Sequence, residues 1–222
     1  MRKIFIIGLI SIALMLGGCS NQNTVAVKNT PHQVGQKGEM SASVNAYDLE
    51  KVYKKADLVA EIKITEWLEE MDEPAEKTLF KAKLEKVYKN NQIDNPEEIY
   101  LLQDGNSKYT IKDYPLFKND DKLILFMKKA EEAVNTFWIL GVNTCVIRVV
   151  DVAKESYAVK QVGQFREFLN IRAENADSNL REALLKDYKV EFPNSATILP
   201  EAYGLKALES ELEKMKSEVE KD

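Results

Sequence analysis

Between Leu58 and Lys160 apolar and polar residues alternate with a period of two, and on either side of that stretch the period becomes helical. Leu49, Val52, Tyr53 and Ala56 fall at i, i+3, i+4 and i+7, which predicts a short amphipathic helix capped by Asn45 with Asp48 in its first turn. Alternation then sets in: positions 58, 60, 62 and 64 are apolar, a half-buried strand over Leu58–Thr65. The acidic segment from Glu69 to Lys77, broken by Pro74, reads as a connecting loop. Phe80, Ala82 and Leu84 resume the pattern, and Val87-Tyr88 slips out of phase by one residue, as a bulge would cause. Further strands are predicted at Ile99–Gln103, ended by the turn Asp104-Gly105-Asn106, and at Leu123–Met127, which is apolar on both faces. Thr136–Val142, Thr144–Val150 and Ser156–Lys160 complete the set. Short strands separated by turn signals predict an antiparallel barrel or sandwich.

After Gly163 the helical period returns. Phe165, Phe168 and Leu169 form one stripe; Leu180, Ala183, Leu184 and Tyr188 form a second, capped by Asp177 or Ser178. Pro193 and Pro200 bracket an irregular connection. From Leu205 to Glu220, Leu205, Leu208, Leu212, Met215 and Val219 recur at three- and four-residue steps, a narrow apolar seam. Such a helix is marginal alone in water and two heptads are short for an independent coiled coil, so Leu208, Leu212 and Met215 are expected to pack mainly on the protein's own body, with self-association or a partner as the alternative. The fold class expected is α+β: a small antiparallel barrel or sandwich with a helical C-terminal portion.

The N-terminus has a different character. Arg2 and Lys3 precede a predominantly apolar run from Ile4 to Leu16, too short to span a bilayer comfortably but right for a signal-peptide core. The run closes on Leu16-Gly17-Gly18-Cys19. This motif resembles the lipobox of bacterial lipoproteins. The resemblance implies cleavage between Gly18 and Cys19, thioether lipidation of Cys19 with palmitate-type chains, and a mature chain that begins at the acylated cysteine. Two acyl chains suffice for stable membrane attachment. The chain would then be anchored to a cell membrane or outer membrane, facing outside the cytoplasm. From Ser20 to about Asn45 the sequence is polar, with Pro31, Gly35 and Gly38 as breakers, and reads as a disordered tether. The organisation expected is a signal peptide over 1–18, a lipidated flexible tether over 19–45, a barrel domain over 46–163 and C-terminal helices over 164–222.

The stretch from Tyr47 to Val150 resembles a loose class of bacterial exported domains. The likeness rests on the short helix, on Ala56-Asp57-Leu58-Val59 opening a strand, and on Lys86-Val87-Tyr88-Lys89 ending one. It closes with Pro115-Leu116-Phe117-Lys118-Asn119-Asp120-Asp121 running into Lys122-Leu123-Ile124-Leu125-Phe126. These domains are small OB-type barrels, which implies the same barrel here and brings no catalytic residues with it.

Composition narrows the chemistry. The formal charge is −5, and loss of Arg2 and Lys3 makes the mature chain more acidic still. Nucleic acid, which needs a positive footprint, is not an expected partner. With Cys19 lipidated, Cys145 is the remaining cysteine of two, so the mature chain has no internal disulfide. Cys145 lies in the apolar run Thr144-Cys145-Val146-Ile147 and reads as a strand residue packed as a small hydrophobe. The sole histidine, His32, belongs to the tether, so the folded part has no imidazole for a Ser–His or Cys–His system and no Cys/His zinc set. Asp104, Asp113, Asp120 and Asp121 sit among turn residues, and Asp104-Gly105-Asn106-Ser107 and Asn119-Asp120-Asp121 lack the spacing of an EF-hand loop. No cofactor or metal is expected.

Aromatic residues are the remaining lead. Trp67, Tyr88, Tyr100, Tyr109, Tyr114 and Trp138 crowd the β region, and an OB-like face can stack ligands on such rings. Trp138 is expected in the core, and Trp67, beside acidic residues at a strand end, on the surface. The function expected is a non-catalytic binding or adaptor module of the cell envelope, with an envelope protein or glycan as partner. Its interaction surface would draw on Trp67, Leu208, Leu212 and Met215. The alternative is a carboxylate-dependent envelope hydrolase acting on glycan or peptide, which needs two converging carboxylates, one held protonated.

Overall fold

A computed structural model describes residues 39–40, 47–91, 96–111, 114–131, 133–162, 165, 178–187, 190–191, 197–198 and 200–219. The elements run β1 (Glu39–Met40), α1 (Leu49–Lys55), β2 (Leu58–Met71), β3 (Lys77–Asn90), β4 (Glu98–Asp104), β5 (Thr110–Ile111), β6 (Lys122–Lys129) and β7 (Thr136–Ile139). A short 3-10 turn over Val142–Cys145 leads into β8 (Ile147–Val152) and β9 (Glu155–Lys160). Then come α2 (Ser178–Asp187), the paired β10 (Val190–Glu191) and β11 (Thr197–Ile198), β12 (Glu201–Gly204) and α3 (Leu205–Val219).

β2, β3, β4, β7 and β6 form a closed five-stranded barrel: β2 pairs with β3, β3 with β4, β4 with β7, β7 with β6, and β6 with β2 again. The connectivity is OB-like. All these pairings are antiparallel except β4–β7, which is parallel, so the barrel is mixed where a purely antiparallel one was expected. β8, β9 and β12 continue the sheet outward from β6. β12 had no counterpart in the sequence pattern, and it lies in the portion expected to be helical. β1, within the expected tether, pairs in parallel with β5.

The alternation decides what fills the barrel. Leu58, Ala60, Ile62 and Ile64 of β2 point inward with Phe80 and Ala82, Ile99 and Leu101, Leu123, Leu125 and Met127, and Phe137 and Ile139. Val59, Ile124 and Phe126 point the other way, into a second core roofed by α1 and α3. This is why β6 reads as an unbroken apolar run: both of its faces are buried. A third, smaller cluster packs Leu180 and Leu184 of α2 on Val152, Tyr157, Val159 and Ala202.

Register slips between β2 and β3 curve the hairpin. Opposite Glu61/Ile62 one extra β3 residue is accommodated, and the expected change of phase follows: Leu84 packs with the barrel interior and Tyr88 with the outer core. β2 and β3 are longer than predicted, since β2 runs on through Met71 and takes in much of the expected acidic loop. Two other expectations are corrected. The cap of α1 is Asp48, whose carboxylate accepts from Lys51 N at 2.7 Å; Asn45 lies outside the described residues. Cys145 is not in a strand but in the 3-10 turn, which shortens β7 to Ile139 and delays β8 to Ile147. The turn follows from Gly141 and Val142, both at positive φ (69° and 50°), with Thr144 Oγ1 donating to Gly141 O at 2.6 Å. The stripe of Phe165, Phe168 and Leu169 lies outside the described residues except for Phe165, which packs edge-on against Phe126.

Candidate functional site

The acidic turns are fully engaged by the protein itself. Lys77 pairs with Asp104, and Lys63 with Asp120 at 2.7 Å. Asp121 accepts from Arg148 at 2.9 Å and from Lys118 N at 3.0 Å. Asn106 is completely buried: it donates to Asp72 and accepts from the N–H groups of Lys108 and Tyr109. Beside it Glu70 takes both the N–H and the hydroxyl of Ser107, each at 2.7 Å. These oxygens hold the loop that follows β4 against the end of β2. Among the described residues no group of three or more acidic, histidine or cysteine side chains could hold a metal ion. Asp113, His32 and Cys19 lie outside the described residues.

Cys145 and Lys160 meet inside the second core. The Lys160 side chain is almost wholly buried, donates to Thr144 O and to Val162 O (2.6 Å for the latter), and lies 4.5 Å from the centre of the Phe165 ring. Burial lowers its amine to about 8 and pushes the Cys145 thiol up. A raised thiol with no solvent access is the opposite of a reactive one. Close by, Tyr114, Asn143, Val146, Arg148 and Gln161 line a cavity that admits the centre of a water-sized group over only about 10 Å³. That is room for about one water molecule and for no substrate.

Of the residues expected to form an interaction surface, Leu208 and Leu212 are fully buried and Met215 partly so, all against the protein's own second core. Trp67 is corrected: it stands within β2, half-buried, 6.5 Å from Phe80 between ring centres, rather than at a free strand end. Tyr88 and Tyr114 are buried as well. One carboxylate pair stands out near α3. Burial, and then the charge of Glu209, pushes the Glu61 carboxyl up. Glu209 itself accepts from the Tyr88 hydroxyl at 3.1 Å and pairs with Lys86 at 3.0 Å.

Of the exposed rings, Tyr109 lies in the loop after β4, and Tyr100 and Trp138 lie on the barrel's outer wall. In β7, Phe137 and Ile139 point into the barrel, so Trp138 must point out, and it is 40% exposed. This overturns its expected place in the core. The period of Thr136-Phe137-Trp138-Ile139 carried the signal: with Phe137 and Ile139 inside, position 138 faces water. Ile99 and Leu101 turn Tyr100 outward in the same way, also to 40% exposure. The strand register sets Leu79, Leu102, Trp138 and Lys128 side by side across four strands, with Lys81, Tyr100 and Thr136 in the neighbouring row. Tyr100 and Trp138 are therefore diagonal neighbours on adjacent strands, roughly 7–8 Å apart at their stems. Val134, 83% exposed, lies in the loop before β7, next to Asn135, whose carbonyl accepts from Tyr100 N at 2.9 Å.

The charges around this face are matched within the protein. Lys81 pairs with Glu98 at 2.8 Å, Lys128 with the buried Asp57 at 2.8 Å, and Lys77 with Asp104. Among the described residues neither the Tyr100 hydroxyl nor the Trp138 indole N–H has a protein hydrogen-bond partner. The outer wall of β3, β4 and β7 thus carries two exposed rings among lysines that are paired with carboxylates of the same molecule. No protein-family model matches the chain, and no curated protein matches it either.

Proposed function

We propose that this chain is a lipid-anchored, non-catalytic binding module of the bacterial cell envelope that meets its partner with the outer wall of β3, β4 and β7. The anchoring part rests on the leader and on Leu16-Gly17-Gly18-Cys19. The binding part is carried by one observation: Tyr100 and Trp138, two rings each 40% exposed, are diagonal neighbours on the outer face of β4 and β7. Single exposed hydrophobics need no explanation, whereas a contiguous aromatic patch marks an interaction surface. It coincides with the sheet face that OB-type barrels use for ligands. Replacing Trp138 with a photo-crosslinking amino acid and irradiating intact cells should give a discrete adduct that the same substitution at Lys154, in the β8–β9 turn, does not. Equal labelling from both positions, or none from 138, removes this face as the binding site.

A second reading, the envelope hydrolase, is favoured by Glu61 alone, a raised carboxyl beside Glu209. Against it stands the engagement of Glu209 with Tyr88 and Lys86, which makes that carboxylate a fastening for α3.

A further inference from the structure

We infer that Glu61 and Glu209 compete for Lys86, and that this contest makes the docking of α3 on the second core pH-sensitive, tightest in mild acid and looser towards neutral pH. Glu61 of β2 stands directly opposite Lys86 of β3 in the ladder, on the face that carries Val59 and Tyr88 into the second core. Directly opposed side chains on one face of an antiparallel pair lie about 4.5–5.5 Å apart at Cβ, within reach of an ion pair. Lys86 nevertheless turns to the helix. Its ammonium pairs with Glu209 of α3 at 3.0 Å and lies 5.1 Å from the centre of the Tyr88 ring, and the Tyr88 hydroxyl donates to Glu209 at 3.1 Å. Among the described residues the half-buried Glu61 carboxylate has no hydrogen bond or ion pair.

The groups around Glu61 set the balance. Glu85 of β3 adds to the negative charge of Glu209, while Lys122 of β6 and Lys86 oppose it. Lys122 is itself drawn to Asp151 at 3.1 Å, and Glu213 of α3 adds negative charge near Tyr88. From α1 comes the uncharged Tyr53 hydroxyl, which donates to Tyr88 O at 3.1 Å. Seating α3 therefore buries Glu61 and sets a second carboxylate near it, and both effects favour the protonated acid. The docked helix thus binds more protons than the undocked one. Docking gains as pH falls towards the ordinary carboxyl value of 4.5 and loses as pH rises through the raised one. The apolar grip of Leu208 and Leu212 does not titrate, so protonation adjusts the hold of α3 without creating it.

The test measures hydrogen-exchange protection factors of the α3 amides at about pH 5 and about pH 7, with the amides of β6 as the reference for opening of the whole chain. In the parent, α3 protection should fall about threefold between the two. Glu61→Gln, uncharged at both, should hold its acid-side protection at neutral pH. Glu209→Gln should lower α3 protection at both and flatten the dependence. Both substitutions conserve shape at partly exposed positions, and parent-like β6 protection shows that each variant folds. A flat profile in the parent, the parent's slope in Glu61→Gln, or a slope that β6 shares in full overturns the proposal.

Discussion

Lys160 illustrates how a single side chain records a tertiary environment. Two carbonyls and a ring face hold its amine where water does not reach, and the amine is depressed to about 8 from an ordinary 10.5. In the folded chain that proton is lost near pH 8, while the unfolded chain keeps it until about pH 10.5, so the unfolded state binds more protons in between. Stability should therefore rise from pH 8 towards pH 10, by on the order of 2 kcal/mol, and be lost again as pH falls through 8. Above pH 10 the phenols of Tyr88 and Tyr114 reverse the trend, because burial keeps them protonated in the folded chain alone. Urea unfolding across this range should show the rise in the parent and a flat profile in Lys160→Met; equal slopes would disprove the assignment. Nothing in the sequence around Lys160 signals this, since Val162 is a chain neighbour but Thr144 reaches it only through the fold. The neighbouring Gly141 shows the same limit. A Cβ there would stand 2.5 Å from Cys145 Sγ, yet Leu140-Gly141-Val142 reads as no more than a strand end.

Helix α3 shows what an element can and cannot reveal. Its apolar spacing was legible, and α3 runs from Leu205 to Val219, almost as the seam predicts. A seam only two heptads long was expected to close on the protein's own body rather than on a partner, and Leu208, Leu212 and Met215 do pack there. The second core answers with Val59, Tyr88, Ile124 and Phe126, which need a roof once β2, β3 and β6 have turned their other faces into the barrel. Leu208→Ala and Leu212→Ala should each cost about 2–5 kcal/mol, as for fully buried leucines, and Lys206→Ala should cost under about 0.5 kcal/mol. Chemical denaturation measures both, and near-neutral leucine variants would show that the helix is not part of the domain's stability. α1 is the complementary case. Its seven residues are too few to persist alone, and its last carbonyls, on Tyr53 and Lys54, are satisfied by Lys89 of β3 at 2.8 and 3.1 Å. That C-terminal partner lies far along the chain and is invisible to local pattern.

For the molecule as a whole, place and purpose separate. The place proposed for it rests on the leader: on that proposal Cys19→Ser should leave an unprocessed, unlipidated precursor, whereas the parent should partition into detergent with Cys19 at its N-terminus, as mass spectrometry of the two would show. Soluble, unacylated parent protein would overturn the anchoring proposal. The binding function proposed for it rests on the wall of β3, β4 and β7, which exists only after closure. The sequence by itself determined the main strands from β2 to β9, the phase slip near Val87, the doubly buried β6 and the apolar seam of α3, because each is a periodicity within one segment and is set by local geometry. It also specified two faces for every strand without saying which would close on itself. Only the tertiary structure decided that the parallel β4–β7 pair completes the barrel and that β12 returns to β9, since both join segments far apart in the chain. With closure the interior had room for Phe137 and Ile139 and none for Trp138. The ring that its hydrophobicity alone would bury is exposed by its position on the strand, because alternation along a closed strand outweighs the preference of any one side chain.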